Sequence, residues 1–369
     1  QPDLNWRNPE VRQAMYDVMH FWMDKGVSGF RLDAVTTLFE DPDLHDDPVL
    51  PTKNAYGDQD VEHAHTNDLP QIHEVFREMR QVTNQYPGGV LVGEAYEKTT
   101  AEMERIYGNN DEINLPMATQ VGFANKLSVP LIRAKLNELE KLPKIDEPLL
   151  VFDNHDNARS WDRYGDGKHN QQIAKVIAAT LLVPRGSALM YYGEELGMTT
   201  TTPARKEDVK DPVGVAGWPK EKGRDGERTP MQWNDSKNAG FSSAEKTWLP
   251  VQPTYKSVNV AAEEKDPASL LNFYTALLRL RKENSALRDG DYVPVNESDD
   301  HVLSFLRKAP DGTTVLVAMN YTAVPQKASY AAQGKHAKTL LSTFAKPDAS
   351  LGIDSVTLPA FGVLIAQVQ

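Results

Sequence analysis

The chain contains no cysteine in 369 residues. That excludes disulfides, thiolate nucleophiles and cysteine-ligated zinc or iron–sulfur centres, and it leaves the compartment open, because many secreted proteins also lack cysteine. No apolar run approaches the roughly 18 residues of a membrane helix, so no membrane partner is expected. Basic residues are outnumbered, with 40 Lys plus Arg against 52 Asp plus Glu and a net charge of −12, which repels phosphate backbones and argues against a nucleic-acid partner. No G-x-S-x-G occurs, which disfavours a serine hydrolase. The segment GDGKHN at 165–170 lacks the first glycine and the final Ser/Thr of a phosphate loop. The opening QPDLNWRNPE has neither the basic nor the apolar region of a secretory leader. A start on a residue other than Met points to an upstream segment. What remains is an ordinary globular composition, 40% hydrophobic and 25% charged, with length for two or three domains.

Along the chain, apolar strands alternate with amphipathic helices. Asn8 and Pro9 read as N-cap and first helical residue, with Val11, Met15, Val18, Met19 and Trp22 at helical spacing up to Gly26. Strands are expected at 26–35, 90–96, 112–116, 149–156 and 187–195. Helices are expected at about 70–86, 125–141, 169–182 and 266–284. Near-continuous apolar strands between helices indicate a parallel α/β sheet covered on both faces. From about 290 the pattern changes to short alternating strands separated by turn signals such as Asp311-Gly312, which reads as an antiparallel β-sandwich. The expected domains are 1–285 and 286–369.

Several apolar runs end in ionisable residues: Arg31 and Asp33, then Glu94, then His155 and Asp156. A lone carboxylate at a strand end is as readily a helix cap or an ion-pair member. Three strands ending this way fit the mouth of a (β/α) barrel, where active sites sit. Two carboxylates there suit glycosidic-bond chemistry, one attacking the anomeric carbon and the other protonating the leaving oxygen. Asp33 and Glu94 are the natural pair. Arg31 shares a strand face with Asp33 by the period of two and is expected to hold it ionised. The apolar neighbours of Glu94 are expected to raise its pKa, as a general acid requires.

These residues resemble a family. GFRLDAV (29–35), GEAY (93–96) and FDNHD (152–156) are similar, in this order, to three signature motifs of glycoside hydrolase family 13, the α-amylase superfamily. QPDLN (1–5) and RTPMQW (228–233) resemble motifs of its α-glucosidase, oligo-1,6-glucosidase and trehalose synthase branch. The resemblance implies a (β/α)8 TIM barrel followed by a β-sandwich. It implies Asp33 as nucleophile, Glu94 as acid/base and Asp156 as the carboxylate that stabilises the transition state, with Arg31, His155 and Arg159 as substrate-binding residues. It further implies retention of configuration, with the Asp33 and Glu94 oxygens about 5–5.5 Å apart. Ala34, following the nucleophile, stands where Ala or Thr accompanies α-1,4 and Val α-1,6 preference.

The family's first signature motif has no counterpart here, and five strand candidates stand where a barrel has eight. Strands four to eight are therefore expected in this chain. An N-terminal barrel segment is expected as a required partner, and any calcium-type loop would lie upstream. No metal or other cofactor is expected within the chain. His45, His63, His65 and His73 cluster near one polar loop without ligand spacing on a helix face, which reads as solvated loop. Tyr191-Tyr192 reads as barrel packing more than as a sugar platform. Trp218 and Trp233 are equally compatible with sugar stacking and with anchoring of their loops. The expected activity is that of a retaining α-glucosidase acting on maltose-like oligosaccharides, with transglucosylation. An isomerase or glucosyltransferase such as a trehalose synthase, and a non-catalytic binding module, are the alternatives.

Overall fold

The computed structural model describes residues 3–53, 57–97 and 99–369. Gln1 and Pro2 of the QPDLN motif lie outside the described residues. Contacts divide the chain into two units, residues 1–120 with 141–150, and residues 121–140 with 151–369.

In the first unit the helix Pro9–Asp24 starts where the sequence signals it: the Asn8 side chain accepts from the Glu10 N–H at 2.9 Å, with proline as first helical residue. The helix Ile72–Thr83 turns Ile72, Val75, Phe76, Met79 and Val82 inward. These pack with Val35, Leu91, Ile106 and Ile113 into one core. Its C-terminal end falls short of the expected residue 86, because the N–H groups of Gln85 and Tyr86 reach back only three residues, to Val82 and Thr83.

The strand Gly29–Leu32 lies parallel to Val90–Gly93, which is followed in the sheet by Leu115–Ala118 and Leu149–Val151. A Cβ on Gly29 would meet the Val90 carbonyl oxygen at 2.1 Å, so only glycine lets these two strands close at that end. The third strand begins three residues later than expected. Glu112 and Ile113 donate instead to Tyr107 and Ile106, closing the end of the helix Thr100–Tyr107. That helix, with a Thr99–Glu102 capping box, and the hairpin Val49–Lys53 and Gln59–Val61 were not anticipated.

The second unit contains the helices Val129–Leu139, Asn170–Leu182 and Leu270–Glu283, the strand Ser187–Leu189, and the terminal β region. The latter is a six-stranded antiparallel sheet from Asp291 onward, accompanied by a small pair of strands, Gln326–Ala328 and Val356–Leu358. The expected boundary at 285/286 falls inside this unit, and buried arginines explain why. Arg133 donates to the carbonyls of Glu297, Asp299 and Val302 at 2.7, 2.6 and 3.2 Å. Arg307, 1% exposed, donates to the carbonyls of Gly290 and Val183. Among the described residues, no helix is long and apolar enough to cross a membrane.

The sheet's own core gathers Leu306, Leu316, Val356, Leu358 and Leu364, all almost fully buried. Leu364→Ala should cost about 2–5 kcal/mol, the range for a buried leucine truncation. Urea denaturation followed by far-UV circular dichroism measures it.

Candidate active site

The carboxylates of the first unit are set by strand register. Arg31 pairs with Val92 and Leu32 with Gly93. Backbone bonding continues past the strand ends, Glu94 N–H to the Leu32 carbonyl at 2.9 Å and Val35 N–H to the Glu94 carbonyl at 3.3 Å. Asp33 and Glu94 are thereby held on neighbouring, parallel stretches of chain. Ala34 adopts a left-handed conformation (φ 42°, ψ 42°), uncommon for a residue with a Cβ and frequent at functional sites. Its N–H donates to Glu94 Oε2 at 3.1 Å.

Arg31 joins both acids. One guanidinium nitrogen donates to Asp33 Oδ1 and the other lies 2.8 Å from Glu94 Oε2. The expectation of a guanidinium for Asp33 alone and apolar surroundings for Glu94 thus needs correcting. Glu94 is buried, but it is buried against a cation and a backbone donor. A pocket of about 310 Å³ opens beside it, lined in part by Ala34, Asn67, Tyr96 and Glu97. His63 also borders that pocket, while His45 lies against Asp41 at 2.5 Å. Asp41, Asp43 and His45 bring ligand atoms within 4.8 Å of one another on the exposed loop, and only the histidine was singled out from sequence.

In the second unit the segment after Leu149–Val151 carries His155, Asp156 and Arg159. Asn154 Oδ1 accepts from the N–H groups of Asp156 and Asn157 at 3.0 and 2.9 Å, a tight side-chain-to-backbone turn. Asp153 accepts from the Ser160 N–H and hydroxyl at 2.6 and 2.9 Å. Asp156 Oδ1 then receives Arg224 at 2.7 Å and Arg228 at 2.8 Å, while His155 Nε2 lies 3.3 Å from Oδ2. Arg224 is aimed by the buried Asp211, which it contacts through Nε and its own N–H, both at 2.8 Å. That guanidinium holds the Asp211 carboxyl well below the usual carboxylate range. Arg228 also donates to the His155 carbonyl at 2.7 Å. These two arginines were missed in the sequence reading, although Arg228 opens RTPMQW and so stood inside a motif already noticed.

Arg159, expected as a substrate-binding residue, is placed in the interior. It is fully buried, with its terminal nitrogens donating to the Tyr192 and Glu227 carbonyls, each at 2.8 Å, and its plane against Tyr191 and Tyr192 at 4.9 and 5.0 Å. Its part in the site is to tie two loops together, and the tyrosine pair is its packing surface. Trp233 is 48% exposed and lines an apolar groove with Phe241 and Trp248. Trp218 sits under Lys222 at 5.4 Å.

Two outcomes follow from these contacts. Arg159→Leu would strand two buried carbonyls at roughly 1–3 kcal/mol each, so chemical denaturation should register a loss of that order. A destabilisation near zero would return Arg159 to the ligand-facing group. Burial pushes the Glu227 carboxyl up to about 7, so its contribution to stability is complete below its ordinary value of 4.5 and is lost as pH rises through about 7. Glu227→Gln should therefore flatten the fall of the melting temperature across that window.

The model of the alpha amylase catalytic domain matches residues 1–290. A probable alpha-glucosidase of Rhizobium meliloti is 34% identical over 320 residues, covering 83% of this chain and 57% of its own length. An oligo-1,6-glucosidase of Parageobacillus thermoglucosidasius is 35% identical over 341 residues, covering 83% and 59%. The chain therefore spans a little over half the length of these curated relatives. Among solved structures, an alpha-glucosyl transfer enzyme, XgtA, aligns with a TM-score of 0.87 at 31% identity, over 100% of this chain and 69% of its own. The trehalulose synthase MutB of Pseudomonas mesoacidophila aligns at 0.86 and 28%, over 100% and 70%. By its strand-end carboxylates and by this match across most of its length, the chain belongs to the α-amylase family, glycoside hydrolase family 13, whose catalytic domain is a TIM barrel.

Proposed function

We propose that the protein acts as a retaining α-glucosidase that removes terminal α-linked glucose from short oligosaccharides. The observation that carries this reading is the single guanidinium of Arg31 bridging Asp33 and Glu94. A nucleophile and an acid have to sit close together, and a shared cation lets two carboxylates do so. In this reading Asp33 attacks the anomeric carbon while Glu94 gives its proton to the departing oxygen. A glucosyl–Asp33 ester results. Glu94 then takes a proton from water as that water attacks the anomeric carbon and breaks its bond to Asp33, which leaves as a carboxylate. Asp156, with His155 beside it, steadies the positive charge that develops on the sugar ring, and transfer occurs where a sugar hydroxyl replaces water.

Ala34 in place of Val supports α-1,4 over α-1,6 linkages, a preference that rests on the resemblance of GFRLDAV to the family motif. An isomerase or transferase reading draws on the solved neighbours, an alpha-glucosyl transfer enzyme and a trehalulose synthase. A purely binding role finds no support in a chain that keeps Asp33 and Glu94 on Arg31 and, separately, Asp156 on Arg224 and Arg228. The acting protein, in this proposal, also includes a polypeptide segment against the edge strand Gly29–Leu32. Phe21 and Trp22 of the same unit are about half exposed, which supports such a cover.

Asp33→Asn should abolish release of nitrophenol from a nitrophenyl α-glucoside while circular dichroism is unchanged. Mass spectrometry of rapidly quenched enzyme should find the glucosyl ester on Asp33. Unaltered turnover in the variant overturns the assignment, and faster cleavage of isomaltose than of maltose overturns the linkage preference.

A further inference from the structure

Behind the segment that carries Asp156 lies a cavity with room for about 10 Å³, lined among others by Asp153, Ser160, Trp161, Glu194 and Tyr274. Glu194 is 7% exposed, and neither carboxyl oxygen makes a well-formed hydrogen bond among the described residues, the Tyr274 hydroxyl and the Tyr191 N–H approaching it only loosely. A buried carboxyl with only loose donors around it calls for an explanation, because an uncompensated charge there is costly.

The backbone gives Glu194 no freedom to leave. Gly193 is in the left-handed region (φ 82°), where a Cβ would meet the Met198 sulfur at 2.4 Å. The Met198 N–H returns to the Gly193 carbonyl at 2.9 Å. The groups facing Glu194 offer it little cation. Asp153 approaches from the segment after Leu149–Val151, Tyr274 from the helix Leu270–Glu283, and Glu195 is the next residue. Ser160 and Trp161, Ala174 and Ile177, and Met198 complete the wall without charge. Arg159 is the nearby cation, and its terminal nitrogens are engaged with the Tyr192 and Glu227 carbonyls. Asp153, for its part, accepts from Ser160 twice and from Arg163 at 3.2 Å.

We propose that Glu194 is a positioning residue, a neutral carboxylic acid whose hydrogen is shared with Asp153 across this cavity, fixing the Asn154–Arg159 segment that presents Asp156. Two acids with one proton between them attract where two carboxylates would repel. The electrostatics agree, since burial and the neighbouring Asp153 both push the Glu194 carboxyl upward. The positioning role rests on the proposed activity of Asp156, whereas the location of the proton does not.

The test uses the full chain and Glu194→Gln, an isostere of the neutral acid. Infrared difference spectra at neutral pH should show a protonated-carboxyl band in the wild type that the variant lacks; identical spectra overturn the proposal. Melting temperatures of the two proteins should converge at acid pH and separate as pH rises above the ordinary glutamate value of 4.5, the wild type falling further, because its unfolded state releases a proton that its folded state keeps. Parallel curves overturn it as well. Glu195, Glu227 and the other acids are common to both proteins and cancel in the comparison. For positioning, Glu194→Gln should retain turnover of the nitrophenyl glucoside. Glu194→Asp, one methylene shorter, should lose about 10–100-fold in kcat with KM little changed, as a displaced catalytic segment would. Equal loss in both variants, or a loss confined to KM, overturns the positioning role. Absence of turnover in the wild type assayed with the proposed covering segment present overturns the proposed activity and that role with it, while the infrared band still decides where the proton resides.

Discussion

The fork of Arg31 between Asp33 and Glu94 is the contact on which the arrangement of the first unit's strand-end acids depends. Parallel register brings two carboxylates to adjacent strand ends, and like charges a few ångströms apart oppose that arrangement. A planar guanidinium with two separately directed nitrogens resolves it, and a lysine, with one point of charge, would not. The conformations around the fork serve the same end. Gly29 lets the two strands meet, and the left-handed Ala34 turns its N–H onto the acid that Arg31 also holds.

The second unit solves a related problem with the opposite stoichiometry. Here one carboxylate, Asp156, receives two arginines. One of them is tethered by Asp211, and the other is fixed by the backbone carbonyl next to the carboxylate it serves. The side chain is held from one oxygen while His155 sits at the second. A carboxylate immobilised in this way would lose little freedom on meeting a ligand, which suits the charge-stabilising part proposed for Asp156.

Much of this was readable from the chain. The N-cap of Pro9–Asp24 and the apolar spacing within Ile72–Thr83 are local signals, and so they are found by local inspection. The strand-end acids could be picked out because polar residues interrupt apolar runs at regular places. The helix Thr100–Tyr107 was missed although Thr99 and Glu102 spell a capping box, since its apolar face is only eight residues long and offers barely two turns of periodicity. Arg224, Arg228 and the true place of Arg159 were not legible for a different reason. Their partners lie 13 to 73 residues away in sequence, and no local pattern distinguishes an arginine that meets a sugar from one that meets a carbonyl.

That last distinction bears on how the second unit holds together. Without cysteine the chain has no disulfide, and several of its long-range ties are guanidinium groups on backbone carbonyl oxygens. Arg133 reaches residues 297–302, Arg281 reaches Leu182 and Gly186, and Arg307 reaches Val183. Each supplies several donors to acceptors that helix and strand ends leave unmatched. Being charged over the ordinary pH range, an arginine does not escape burial by losing its proton as readily as a lysine does, so its terminal nitrogens are taken up by carbonyls where it stands. Burial nevertheless presses Arg307 down to about 10. A segment held by such forks is fixed in orientation as well as in distance. The terminal sheet, which a reading by composition would cut off at residue 285, is joined in this way to the helices before it.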